Sequence, residues 1–309
     1  MTARFRCTAQ SLLRDDELAG TASTVRAFLL VENPGPWGVD ALRDNRLPVP
    51  VKTALRRLSA AAGVRVLLIR RHHRAAPRVD FHVFAAYADP VTPWVESTRL
   101  HRSEDLLSLD LGALAAGRSL GLPRHDQPLF CVCTHGRHDA CCAERGRPVA
   151  SVLSAAHREE TWECSHLGGD RFAANVLVLP EGLYYGRLDA VSALTVTAAH
   201  TAGRLDLDHL RGRSGLAMAV QAAEIGLRQE LAETGLDTVR FQARQVIDPH
   251  PGSAVRVSVA RFAVAGTSYD VEVRTSVGAD LHRLTCDATR DNPIPNHEVL
   301  AIRRVQTPS

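Results

Sequence analysis

The chain has 309 residues, of which 45% are hydrophobic and 23% charged, with a formal net charge of +3. This composition is normal for a folded protein of two or three domains, and the small net charge argues against nucleic acid as a partner. No apolar run approaches the roughly 18 residues that span a membrane, and acidic residues interrupt the N-terminal region where a signal peptide needs an apolar core. We therefore expect a cytosolic protein.

The first part of the chain, residues 1–125, has the pattern of an α/β domain. Continuous apolar runs of strand length alternate with a segment of helical spacing, which ends at the common C-cap residue Gly63. The predicted elements are a short helix within 1–20, strands at 25–31, 64–69 and 80–86, and a helix at 52–62.

The second part, residues 126–213, predicts the order β-α-β-β-β-α, which is close to a thioredoxin-like half-barrel sandwich. The N-terminal part has a similar β-α-β-β order, so it is a candidate for a degenerate thioredoxin-like copy. The predicted elements are strands at 129–133, 161–164, 173–179 and 183–188, and helices at 142–157 and 189–202.

The third part, residues 214–309, predicts a helix followed by a small antiparallel β unit. Its strands alternate apolar and polar residues, and a Gly-containing turn separates two of them. The fold class of the whole chain is accordingly α/β (α+β), in three domains. The predicted elements here are a helix at 214–233 and strands at 238–247, 254–265, 268–273, 281–286 and 299–305.

Cysteine is concentrated in one short window: five of the seven cysteines lie from Cys131 to Cys164, and His166 follows two residues later. In the expected cytosolic setting, clustered cysteines indicate metal or redox chemistry rather than structural disulfides. Cys133 ends a predicted strand and Cys142 begins a helix, while His166 and Asp170 share the next loop. Soft thiolates beside an imidazole suit iron or zinc.

These segments resemble the sucrase/ferredoxin-like family, a branch of the thioredoxin-like [2Fe–2S] ferredoxins. The resemblance implies that Cys133 and Cys142 form the first ligand pair of a cluster. The second pair is Cys-x3-Cys in ordinary ferredoxins and His-x3-His in fungal members; here His166 and Asp170 occupy those positions. The matching segments are GPWG at 35–38, FCVCTHGRHDACCAERG at 130–146, WECSHLGGDRFAANVLVLPEGLYYGRL at 162–188, His200, Gly203-Arg204 and LRGR at 210–213.

The identity of the fourth ligand stays open at this point. Asp170 keeps the family spacing but offers a hard oxygen, which is unusual for iron–sulfur clusters. Cys164 is soft and lies two residues from His166, so both would share one strand face. Cys141 and Cys131 are weaker alternatives.

The remaining candidates have simpler interpretations. Cys7 and Cys286 are expected to be small buried hydrophobes. His135 and His138 are expected to be polar residues at the surface, with ligation as the less favoured alternative. The GPWG segment is interpreted as a tight turn with a buried Trp37.

The sequence thus predicts an electron carrier with one [2Fe–2S] cluster of mixed Cys/His ligation, which passes single electrons between a reductase and an unknown acceptor. No catalytic residue is assigned, because no acidic pair is marked out for glycoside hydrolysis. A neutral His ligand is expected to raise the reduction potential relative to an all-Cys cluster. The alternative is a zinc-stabilised or thiol-switch binding module without electron transfer.

Overall fold

The computed structural model describes residues 4–73, 79–247 and 255–305. No helix in these ranges combines the length and the apolar character needed to cross a membrane. Two short 3-10 helices cover Ser103–Ser108 and Asp170–Phe172. The α-helices are α1 (Cys7–Leu13), α2 (Ala41–Asp44), α3 (Val49–Ala62), α4 (Leu111–Ala115), α5 (Ala140–Ala156), α6 (Ala190–Thr201) and α7 (Met218–Glu230). The strands are β1 (Ala27–Glu32), β2 (Arg65–Arg70), β3 (Phe81–Tyr87), β4 (Trp94–Leu100), β5 (Leu129–Cys133), β6 (Thr161–Cys164), β7 (Val176–Leu179), β8 (Leu183–Tyr185), β9 (Leu210–Arg213), β10 (Val239–Ile247), β11 (Val255–Val264), β12 (Thr267–His282) and β13 (Asn292–Val305).

A nine-stranded mixed sheet has the order β4-β3-β1-β2-β6-β5-β7-β8-β9. Its first eight strands form two halves of the same connectivity: a strand, a helix, a parallel neighbour, and then two antiparallel strands on the other side. The halves join where β2 pairs with β6 through Ile69↔Cys164 and Arg70↔Glu163. The α/β fold class is confirmed, and the sheet continues across the expected domain boundary at 125/126, which itself stays a prediction.

Alternation along β5 separates the two faces of this sheet. Phe130 and Val132 pack with α5 and α6, whereas Cys131 and Cys133 point into the core on the opposite face. The sheet is strongly curled. The rings of Phe84 in β3 and Trp162 in β6 lie only 5.6 Å apart, although two strands separate β3 from β6. In a flat sheet those strands would be about 14 Å apart.

The C-terminal part is a four-stranded antiparallel sheet in the order β10-β11-β12-β13, with α7 packed against it. The expectation of a separate strand at 281–286 is wrong: β12 continues to His282, and residues 283–291 form a connection without strand structure. Cys286 lies in this connection, outside the sheet, and its N–H donates to the buried carboxylate of Asp139 at 2.6 Å. This connection therefore returns the chain to the first turn of α5.

Candidate metal centre

The junction of β5 and α5 positions the first two candidate ligands. Cys133 is the last residue of β5, and Cys142 lies in the first turn of α5. Asp139 caps this helix by accepting the Cys141 N–H at 2.8 Å. One turn on, Gly146 allows close packing, since a Cβ there would lie 2.1 Å from the carbonyl oxygen of Cys133. Both thiols are therefore brought to the same end of the sheet.

The loop after β6 carries the other two candidates, His166 and Asp170. Gly168 and Gly169 have φ of 95° and 77°, in the left-handed region that favours glycine. The buried Arg211 guanidinium fixes the loop by donating to the Gly168 carbonyl at 3.0 Å. A Cβ on Gly169 would lie 2.2 Å from that guanidinium. The two glycines thus let the loop close over the end of β5.

The structure brings Cys133, Cys142 and His166 together, with their ligand atoms within 4.8 Å of one another. Asp170 joins them, because Cys142 Sγ donates to its Oδ1 at 3.1 Å. His166 Nδ1 lies 2.9 Å from the same oxygen. Three of these four side chains are buried and His166 is partly exposed. Cys133, Cys142 and His166 therefore form one group that could hold a metal, and Asp170 adjoins it through Cys142 and His166.

Cys164 and Cys131 lie in the neighbouring core rather than in this group. Both face the same side of the sheet as Cys133. Burial raises the pKa of Cys131 to about 12 and that of Cys164 above its ordinary value. Neither belongs to a set of converging ligand atoms among the described residues. Among the candidates for a fourth ligand, Asp170 contacts Cys142 and His166, whereas Cys164 is the neighbour of Cys133 across β5 and β6.

His138 contacts this site, although the sequence favoured a surface role over ligation for it. Its ring lies 3.8 Å from that of His166, and it forms a ligand set with His166 and Asp170 within 4.8 Å. His135 is buried, contrary to the surface expectation, and accepts the His166 N–H at 3.3 Å. The only sequence signal for either residue was its place in the loop before Cys142.

His135 also joins the GPWG turn to the site. Its Nε2 lies 2.8 Å from the carbonyl oxygen of Gly38, which fits a neutral ring protonated at Nε2. Burial lowers the pKa of His135 and favours this neutral form. The interpretation of GPWG as a tight turn agrees with the structure, because Trp37 is buried and donates its indole N–H to Asn33 at 2.8 Å.

The electrostatics of the site favour ionised Cys133 and Asp170, whereas the hydrogen bond with Cys133 and burial raise the pKa of the Cys142 thiol above its ordinary value. The hydrogen bond with Cys142 lowers the pKa of Cys133 to about 7, against the effect of burial. Burial alone would raise the pKa of Asp170, but His166 and the Cys142 thiol hold it below its ordinary value. Burial likewise opposes charge on His166, whose pKa the Asp170 carboxylate raises. Thiolate and carboxylate are the forms that bind metal.

A surface groove of about 850 Å³ leads to the exposed edge of His138 and His166. Its other wall comes mainly from α2, α3 and the start of β2. That wall contains four arginines, Arg43, Arg56, Arg57 and Arg65, and one acidic residue, Asp40.

Fold and site together define an α/β protein with a Cys/His/Asp group that could bind a metal at the end of a βα unit. The chain belongs to the sucrase/ferredoxin-like family, whose sequence model matches residues 18–212. The match includes Cys133, Cys142, His166 and Asp170, whereas Cys7 and Cys286 lie outside it. Comparisons with curated proteins and with solved structures gave no match.

Proposed function

We propose that the protein is an electron carrier whose Cys133, Cys142, His166 and Asp170 hold one [2Fe–2S] cluster. The proposal depends chiefly on one observation, the convergence of the Cys133, Cys142 and His166 ligand atoms to within 4.8 Å. Membership of a family named for ferredoxins supports iron over other metals. When bound, such a cluster accepts and releases single electrons.

The donor atoms support this assignment. His166 Nδ1 and Asp170 Oδ2 are both buried. Nδ1 faces Asp170 Oδ1 at 2.9 Å, so of these two atoms Oδ2 is the one without a partner at hydrogen-bond distance among the described residues. An unsatisfied buried polar atom costs about 1–3 kcal/mol, so lone pairs left free in this way suit a metal ligand. The two thiols supply the soft ligands that iron–sulfur clusters need.

Imidazole ligation would set the redox properties. A neutral His166 in place of a thiolate removes one negative charge from the ligand set, which stabilises the reduced state and raises the potential relative to an all-Cys cluster. The His166 ring nitrogen that does not bind iron keeps its proton, and it would lose that proton more readily when the cluster is oxidised. The potential is therefore expected to fall as pH rises through the pKa of that nitrogen.

The groove beside His166 is the proposed docking surface for a redox partner. His138 and His166 are partly exposed there, so electrons can leave through the imidazole edge. Arg43 and Arg56 pair with Asp44 and Asp40, so the excess positive charge of the groove comes from Arg57 and Arg65. This charge favours a partner with an acidic surface, because opposite charges accelerate encounter and orient the partner. As part of this proposal, the partners are a cytoplasmic reductase, which supplies the electrons, and an acceptor protein whose docking surface is acidic.

The same donor set also favours a second candidate, a zinc-stabilised or thiol-switch module. Two Cys, one His and one carboxylate are common zinc ligands, and zinc would leave the protein without redox activity. Colour distinguishes the two, since an iron–sulfur protein absorbs visible light and a zinc protein does not.

Ligand variants test the proposal. Cys133→Ser and Cys142→Ser should each abolish the visible absorption of anaerobically purified protein, because the thiolate is the soft anchor for iron. Cys131→Ser is the matched control: its thiol is buried two residues from Cys133 and lies outside the ligand group. Retention of a native spectrum in Cys142→Ser, together with its loss in Cys131→Ser, would show that the ligand assignment is wrong.

A further inference from the structure

A second set of cysteines converges on the other side of the first turn of α5. The Sγ atoms of Cys7, Cys141 and Cys286 and a carboxylate oxygen of Asp139 all lie within 4.8 Å of one another. Cys286 Sγ is 3.4 Å from Cys141 Sγ and 3.6 Å from Cys7 Sγ. Cys7 and Cys286 were expected to be isolated buried thiols, yet they meet although they lie 279 residues apart in the sequence.

We propose that these four residues bind one Zn²⁺ ion in a structural site separate from the proposed cluster. Three thiolates and a carboxylate are ligand types that Zn²⁺ binds, and four of them is the number that a tetrahedral structural site needs. Around such an ion, bonds of about 2.3 Å place neighbouring sulfur atoms about 3.8 Å apart. The two short Sγ–Sγ distances therefore need to lengthen by only a few tenths of an ångström.

Asp139 is the charged member of this group, and it also caps α5. Its side chain is fully buried, and its two oxygens accept the N–H groups of Cys141 and Cys286. The Cys7 thiol lies 3.6 Å from one of these oxygens. The two N–H donors and the start of α5 compensate part of this buried charge, and a bound cation would compensate more of it. Each oxygen keeps a lone pair for a cation.

The geometry of α5 separates this site from the first. Consecutive residues on a helix point about 100° apart, so Cys141 and Cys142 reach different groups. The first group has a partly exposed histidine beside a groove, whereas all four members of the second are buried. Closed sites of four ligands are typical of structural zinc. The hard carboxylate argues against Cu(I), which prefers thiolate and thioether ligands.

A zinc ion here would join three distant parts of the chain. Cys7 begins α1, Asp139 and Cys141 form the start of α5, and Cys286 lies in the connection between β12 and β13. The ion would hold the C-terminal unit against the central sheet and fix the helix start from which Cys142 projects. This role does not depend on what the first site binds.

Metal analysis of the full-length protein tests the site. After anaerobic purification without added metal, we expect one zinc per chain in the wild type. Cys7→Ser and Cys286→Ser should each lower zinc content at least tenfold without changing iron content. Cys131→Ser, which removes a buried thiol outside both groups, should retain the zinc. Zinc retained in both the Cys7→Ser and Cys286→Ser proteins would overturn the proposal.

X-ray absorption at the zinc edge of the wild type gives a result that does not depend on whether the variants fold. We expect three sulfur ligands at about 2.3 Å and one oxygen at about 2.0 Å. Two sulfurs with a nitrogen would place zinc at Cys133, Cys142 and His166 instead and would contradict the second site. Wild-type protein that stays free of zinc after dialysis against Zn²⁺ would also contradict it, as would a disulfide among the three cysteines.

Discussion

Asp170 is the residue whose chemistry differs most from that of an ordinary ferredoxin ligand. It keeps the x3 spacing from His166, and the fold places it 3.1 Å from Cys142 Sγ and 2.9 Å from His166 Nδ1. Cys164 is chemically the better iron ligand, but among the described residues its thiol belongs to no group of converging ligand atoms. Position in the fold therefore outweighs intrinsic ligand preference in our assignment of the fourth ligand.

Comparison of two alanine variants tests that assignment. Asp170→Ala should bleach the protein or shift its visible spectrum strongly, because it removes the oxygen beside Cys142 and His166. Cys164→Ala should leave the spectrum intact and cost about 1–2 kcal/mol of stability, as expected for a small buried side chain. The reverse pattern in the absorption spectra would assign the fourth position to Cys164.

His166→Cys should preserve the cluster, because a thiolate is the softer ligand. Its added negative charge should lower the reduction potential, on the order of 100 mV, and weaken the dependence of potential on pH. Protein-film voltammetry between pH 6 and 9 measures both effects. If His166→Ala keeps the native spectrum and potential, imidazole is not a ligand.

His200 gives a prediction that does not depend on metal. It is buried beside Phe130, and this burial lowers its pKa from 6.5 to about 4. Below pH 6.5 the unfolded chain binds the proton more readily than the folded one, so stability is lost as pH falls toward 4. Between pH 7 and pH 5 this loss is about 2 kcal/mol.

His200→Gln should therefore reduce the acid sensitivity of stability, measured by urea unfolding at pH 7 and at pH 5. His101→Gln, at an exposed position, is the control and should leave that difference unchanged. If the free energy of unfolding depends on pH in the same way in the wild type and in His200→Gln, then the unfolded chain does not bind a proton at His200 more readily than the folded chain does.

At the scale of elements, the contact between β5 and α5 determines where both thiols lie. Gly146→Ala would place a methyl group 2.1 Å from the Cys133 carbonyl oxygen, so the helix must shift outward. We expect a loss of about 1–3 kcal/mol in the free energy of unfolding and a lower iron content. Gly278→Ala is a suitable control, since no atom lies within 4 Å of its added Cβ.

Elements with strong local signals were predictable from the sequence. The β5-α5-β6 unit and the β7–β8 hairpin lie close to their predicted positions, because apolar runs and the Pro180-Glu181-Gly182 turn mark them. Strand β9 was missed, since LRGR has the composition of a surface loop. Its arginines are buried only because distant partners satisfy them, as Glu224 does for Arg213 at 3.0 Å.

At the scale of the whole molecule, most contacts between segments far apart in the sequence could not be predicted from the sequence. The spacing of Cys133, Cys142 and His166 predicted their convergence, because loops at neighbouring strand ends face each other. Nothing local indicated that Cys7 and Cys286 would meet at α5, or that β2 and β6 would join the two halves into one sheet. Such pairings depend on tertiary packing, which a single sequence does not encode in any short window.

The iron, sulfide and zinc content of the anaerobically purified full-length protein, measured together with its visible spectrum, tests the central claim most directly. We expect about two irons and two acid-labile sulfides per chain, with absorption that dithionite bleaches, as a single [2Fe–2S] cluster requires. Zinc without iron, in a colourless protein that dithionite does not change, would contradict electron transfer at Cys133, Cys142 and His166.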